Sequence, residues 1–173
     1  MHAVVADPTQ NGRLYLSAGF GRLWEEPREQ RTAGMFGSDD GGRTWFSLWD
    51  GMNRQYTRPL CVDPRPPYAI TVGSTPASRP YVNIELTGHP VEGGAQGVVY
   101  QSVDRGVTWT SIGDTDHSPS IAAPMCVIPA SEGPGQVLVG TDQGEVWRVT
   151  PDRQWHLLAR DLPIVYSVLP VGA

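Results

Sequence analysis

Short apolar runs bounded by Pro, Gly and Asp follow one another along the chain, and the i, i+3, i+4 spacing of an amphipathic helix is hardly represented. The runs recur as a unit. Each unit opens with an apolar strand ending in Pro: "AVVADP" at 3–8, "PLCVDP" at 59–64 and "PMCVIP" at 124–129. A second strand ends in Gly: "LYLSAG" to Gly19, "AITVG" to Gly73 and "VLVG" to Gly140. A third follows in "GMFGS", "GVVYQS" and "GEVWRV", and a fourth in "TWFSLW", "TWTSIG" and "QWHLLA". Three repeats of four short strands predict an all-β fold of antiparallel units, bounded near 1–57, 58–118 and 119–160. After the third, "DLPIVYSVLPV" reads as one extra strand over about 162–171, the first of a further unit.

The hairpin between third and fourth strands carries the most specific signal. Ser38, Asp40, Gly42, Thr44 and Trp45 recur as Ser102, Asp104, Gly106, Thr108 and Trp109, in the pattern S-x-D-x-G-x-T-W. A hydroxyl and a carboxylate to accept backbone N–H bonds, a glycine for positive φ, then a β-branched residue and an indole are what a tight hairpin requires. The third hairpin, "VTPDRQW", has lost the Ser and the Gly but keeps its aromatic, Trp155. A calcium-loop reading of the first copy fails on chemistry, because Trp45 and Phe46 arrive before any closing bidentate Glu. No metal and no cofactor is expected.

This spacing is that of the Asp-box, and the chain resembles the Asp-box (BNR-repeat) β-propellers, a group that includes sialidases, xyloglucanases, sortilin-like receptors and a photosystem II assembly factor. The resemblance implies that the four-stranded units are propeller blades. Propellers close with about four to eight blades. Three blades and one strand cannot, so the expected partner is a second copy completing the ring as a dimer, or the rest of a longer propeller.

Composition fits the all-β reading, with 20 Gly, 16 Pro and 18% charged residues. The chain has 13 cationic residues, all Arg, and a formal net charge of −5, which argues against nucleic-acid binding. Cys61 and Cys126 occupy matching positions in different units and are expected as buried free thiols. No stretch approaches 18 apolar residues and no signal-peptide pattern opens the chain, so no membrane span is expected and the compartment stays open.

Unit length points to where recognition would sit. From Asp7 to Trp45 is 38 positions, from Asp63 to Trp109 is 46, and from Ile128 to Trp155 is 27, with the excess between second and third strands. The first insertion, 20–33, holds Trp24, Glu25, Glu26, Arg28 and Arg31; the second, 74–96, holds Arg79, Tyr81, Glu85 and His89. Strand parity sends these loops, and the connections at 49–58 and 114–119, to the face opposite the Asp-boxes. On that face Trp49, Arg54, Tyr56 and Arg58 would form an aromatic and cationic platform, and His117 beside Asp116 an acid/base pair. Long loops on a rigid scaffold are where recognition resides.

Glycosidase chemistry needs two carboxylates about 5 to 9.5 Å apart with one pKa raised by burial. Glu25, Glu26, Glu85, Asp50 and Asp116 are the candidates, and no motif pairs them. Sialidases, which the resemblance brings in, add an arginine triad and a tyrosine nucleophile; "YTRP" at 56–59 is only faintly similar to their early Arg-Ile-Pro phrase and lies on the wrong side of the first Asp-box. The expected function is therefore a non-catalytic binding scaffold for a protein or a glycan, with a glycoside hydrolase as the alternative.

Overall fold

The computed structural model describes residues 1–19, 33–76 and 94–170. Within them the chain forms twelve strands and no helix. Sheet 1 comprises β1 (Ala3–Ala6), β2 (Leu14–Ala18), β3 (Gly34–Ser38) and β4 (Phe46–Ser47). Sheet 2 comprises β5 (Tyr56–Val62), β6 (Ile70–Thr75), β7 (Val98–Ser102) and β8 (Thr110–Ser111). Sheet 3 comprises β9 (Pro124–Pro129), β10 (Val137–Thr141), β11 (Val146–Val149) and β12 (Trp155–Ala159). In each sheet the strands lie side by side in chain order, every neighbour antiparallel.

Period-2 alternation makes sheet 2 the centre of the molecule. Tyr15, Met35, Leu48 and Trp49 of the first unit pack with Ile70, Val72, Val98, Tyr100 and Trp109 of the second. Val99, between Val98 and Tyr100 on β7, points the other way, into a second cluster with Cys61, Ile112, Val127, Val137, Val139 and Val149. All five residues of β7 are accordingly buried. Both cysteines are buried and free, and burial pushes the Cys61 thiol up to about 12.

The first strands of successive sheets run close together, held by side chains that cross between sheets. Thr57 at the start of β5 donates its hydroxyl to the carbonyls of Ala18 (3.0 Å) and Gly34 (2.8 Å) and accepts the Ala18 N–H (3.1 Å). Ser17 donates to the Arg58 carbonyl at 2.8 Å. A glycine on or beside each second strand permits this approach. A Cβ on Gly73 would lie 2.7 Å from Pro59 of its own sheet and 2.7 Å from Pro124 of the next. On Gly19 it would meet His2 and Tyr56, each at 2.8 Å, and on Gly140 it would meet Cys126 and Val165, each at 2.6 Å. Such distances are far inside van der Waals contact: a side chain at Gly73 would force the proline-bearing strands apart, one at Gly140 would displace Cys126 and Val165, and one at Gly19 would displace the His2 and Tyr56 rings.

The segment following β12 departs from expectation. Residues 162–170 pair in no sheet and do not form the extra strand. Two backbone bonds hold the segment against sheet 3, from Leu162 N to Gly144 O (3.1 Å) and from Val165 N to Thr141 O (3.0 Å). These bonds fall on the end of β10 and on the turn that follows it, not along an edge strand of sheet 3, β9 or β12, where a fifth strand would have to pair.

Candidate functional site

The two S-x-D-x-G-x-T-W turns are built alike, and their carboxylates are used internally. Ser38 donates its hydroxyl to Asp40 at 2.9 Å and accepts the Gly42 N–H at 2.8 Å. Asp40 also accepts the Arg43 and Thr44 N–H groups, both at 2.9 Å, and the Thr44 hydroxyl at 2.6 Å. In the second copy Ser102 bonds Asp104 at 2.7 Å and Gly106 at 2.8 Å, and Asp104 accepts the Thr108 N–H at 2.9 Å. These bonds, that from the Thr44 hydroxyl foremost, lower the Asp40 carboxyl to about 2. At Asp104 burial pushes upward, but the bonds from Thr108 and Ser102 outweigh it and the net shift is downward. Among the described residues no group of three or more His, Cys, Asp or Glu is placed to hold a metal.

The tryptophan that ends each hairpin reaches back to the sheet before it. Trp109 Nε1–H donates to the Leu48 carbonyl at 2.9 Å, and Trp155 Nε1–H to the Ile112 carbonyl at 3.0 Å. Sheet 1 is the first sheet of the chain, and its Trp45 donates instead to Gly42 of its own turn at 3.0 Å and stays 38% exposed. Matched positions in the repeat predict that Trp45 and Trp109 are both buried, and the structure corrects this for Trp45: only Trp109, 4% exposed, is core.

The candidate binding residues divide into those the structure describes and those it does not. Trp24, Glu25, Arg28, Arg31, Arg79, Tyr81 and Glu85 lie outside the described residues, as do Glu26 and His89. Tyr56 is buried between sheets 1 and 2, packed with Ala33 and meeting His2 edge-on at 5.4 Å between ring centroids, so it offers no face to a ligand. Trp49 is likewise core, stacked edge-on against Phe36. Arg54 is half-buried, with long bonds to the Asn53 carbonyl (3.4 Å) and Gln96 Oε1 (3.5 Å), beside the Tyr100 phenol that Asn53 bonds.

His117 pairs with Asp114, not Asp116: its Nδ1 lies 2.6 Å from Asp114 Oδ1, which also accepts the Asp116 and His117 N–H groups at 3.0 Å each. Burial pushes the Asp114 carboxyl up, and the bonds from His117 and from the Asp116 amide more than reverse it. The imidazole lies flat on Trp155 (4.2 Å, 4° between planes) and edge-on to Trp147 at 4.7 Å. It is thereby packed into the joint between sheets 2 and 3. The loop order alone carried no signal for this, because the aromatic partners come from the following unit.

One cavity, of about 310 Å³, opens where the first strands meet. His2, Arg58, Met125 and Tyr166 line it, with further residues of β1, β5 and β9. Of these only Arg58 stood out in the sequence. His2 and Tyr166 gave no signal, since each lies at the edge of a repeat.

No protein-family model matches the sequence, and no curated protein matches it. Among solved structures the chain is similar to a protein of unknown function from Dyadobacter fermentans DSM 18053, at 17% identity and a TM-score of 0.49, over 92% of this chain. The match spans 42% of that protein's chain. No helix among the described residues is long and apolar enough to cross a membrane.

Proposed function

We propose that the three sheets are consecutive blades of a β-propeller of the Asp-box kind, that the ring is completed by a second copy of the chain or by the rest of a longer propeller, and that the assembly is a non-catalytic scaffold binding a protein or a glycan. The observation that supports this reading is the repeated joint: Trp109 and Trp155 each bond a carbonyl of the preceding sheet, and first strands stack beside first strands. A fixed blade-to-blade joint makes a rigid platform. Recognition would then fall to the long insertions at 20–33 and 74–96 and to Arg54, which bonds Gln96 at the end of the second.

Binding is tested by titrating the full chain with acidic oligosaccharides and acidic peptides and following intrinsic tryptophan fluorescence. A saturable change that Arg54→Gln weakens about tenfold, the equivalent of 1.4 kcal/mol, is the expected result. Turnover of aryl glycosides by the same preparation, abolished by Glu25→Gln or Glu85→Gln, would replace the scaffold reading with a hydrolase.

A further inference from the structure

We infer that the cavity where the first strands meet is a binding site for a small organic oxyanion, gripped by the Arg58 guanidinium with its apolar body against Leu60, Met125 and Val127. The inference goes beyond the scaffold reading, whose ligand would be held by the long insertions and Arg54, and it stands whether or not that reading does.

Two irregularities in the sheets aim side chains at the same space. The β5–β6 ladder pairs Thr57 with Ser74 and next Leu60 with Val72, which leaves two residues, Arg58 and Pro59, opposite one, Gly73. The β9–β10 ladder pairs Cys126 with Gly140 and next Pro124 with Thr141, which leaves Met125 without a ladder partner. A bulge of this kind re-aims a side chain out of the regular alternation, and sheets use it beside binding sites. Here the two bulged strands serve one cavity. Arg58 and Met125 line it together, and Arg58 Nη1 approaches Met125 Sδ at 3.8 Å, from sheet 2 to sheet 3. The bulge on β5 is fixed from behind, because Ser17 of sheet 1 donates to the Arg58 carbonyl at 2.8 Å and the hydroxyl of the preceding Thr57 makes three bonds of its own. Arg58 thus rises from a rigid base, as a binding group must.

The chemistry of the lining names the ligand. At about 310 Å³ the cavity lies at the lower end of the range that holds small-molecule ligands, about 300 to 1,000 Å³. Its polar side chains include the Arg58 guanidinium, the His2 imidazole and the Tyr166 phenol, and none of the described residues lining it is acidic. Burial and then the Arg58 charge lower the His2 pKa, outweighing the Gly19 bond that raises it, so imidazole and guanidinium share one field. A guanidinium in a partly enclosed cavity takes an oxyanion in preference to a neutral group, through charge-assisted and bidentate N–H···O bonds. The Met125 thioether is a weak acceptor, which a carboxylate or a phosphate ester outcompetes. Leu60 and Val127 supply apolar wall against which a ring or hydrocarbon loses its water. Tyr166, 60% exposed, stands at the mouth with a hydroxyl to donate.

Calorimetric titration of the full chain with benzoate, phenyl phosphate and neutral benzyl alcohol tests this. Both anions are expected to bind one to one and the alcohol about tenfold more weakly, and the tighter of the two anions shows whether the site is shaped for a carboxylate or a phosphate ester. Arg58→Gln should weaken both anions about tenfold and leave the alcohol where it was. Arg58→Lys should lose only part of that, since the charge stays and the planar fork goes. Tyr166→Phe should cost about threefold, the worth of a modest hydrogen bond. Arg160→Gln, which removes a charge from an exposed site, should change nothing. In the unaltered chain, bound benzoate should protect Arg58 from phenylglyoxal, read by peptide mass spectrometry, a measurement that needs no variant to fold. Anion binding that Arg58→Gln leaves intact overturns the cavity site, and loss in Arg54→Gln instead assigns the anion to the loop face. Equal affinity for benzyl alcohol overturns the anion class. Failure of both anions to bind, with Arg58 unprotected, overturns the site and leaves the loop-face reading to its own titration.

Discussion

The indole N–H of Trp109 donates to the carbonyl of Leu48, 2.9 Å away in the preceding sheet, while Trp45, its counterpart by sequence, finds only Gly42 of its own turn. The same residue in the same motif is core in one unit and surface in the other. Trp109→Ala should therefore cost about 3 to 5 kcal/mol, as truncation of a buried aromatic does. Trp45→Ala should cost clearly less in the monomeric chain. Urea unfolding of the two variants at one protein concentration measures the difference, and equal losses would contradict the packing described.

The turn carboxylates contribute to the acid limit of stability, beside Asp7, Asp63 and Asp114, which are shifted in the same direction. Asp40 titrates at about 2 in the folded chain against an ordinary 3.8, and Asp104 is shifted in the same direction. A depressed folded pKa means stability that is fully present above the unfolded value and lost as pH falls through the folded one. Melting temperature should hold down to about pH 4 and fall between about pH 4 and pH 2. In the Asp40→Asn, Asp104→Asn double variant this acid limb should be shallower, starting from a lower plateau.

Asp63 ties sheet 2 to sheet 3. It is 2% exposed, accepts the Gly135 N–H at 2.8 Å and bonds Arg65 at 2.9 Å, and Arg65 in turn reaches the carbonyls of Ala130, Ser131 and Gly133. Asp63→Ala leaves the Gly135 amide buried without its acceptor, at a cost of about 1 to 3 kcal/mol. Arg65→Ala should cost less, because the guanidinium side is 35% exposed. Chemical denaturation orders the two.

Both thiols should be inert in the folded chain. Burial raises Cys61 to about 12 and Cys126 in the same direction, which leaves almost no thiolate near neutrality. Iodoacetamide at pH 8 should label neither until denaturant is added; mass spectrometry showing rapid labelling of the native protein would contradict the burial.

The strands and the turns were legible in the sequence because both are local. Pro after each first strand, Gly after each second, and S-x-D-x-G-x-T-W between third and fourth specify conformation within a few residues. What depends on a neighbour was not legible. Tyr56 is buried because Ala33, His2 and Gly19 come up against it from the preceding sheet. His117 takes Asp114 rather than Asp116 because the turn aims the Asp114 carboxylate inward while Trp155 fixes the ring. Residues 162–170 carry a first-strand pattern, yet pattern alone supplies no sheet to pair with.

The burial of β7 at all five positions has a kinetic consequence. Val98 and Tyr100 belong to one cluster and Val99 to the other, so peeling away either outer sheet exposes one side of the same strand. Sheet 2 depends on both neighbours, and the slowest amides to exchange with deuterium should be those of β6 and β7, which open together and only when the whole chain opens.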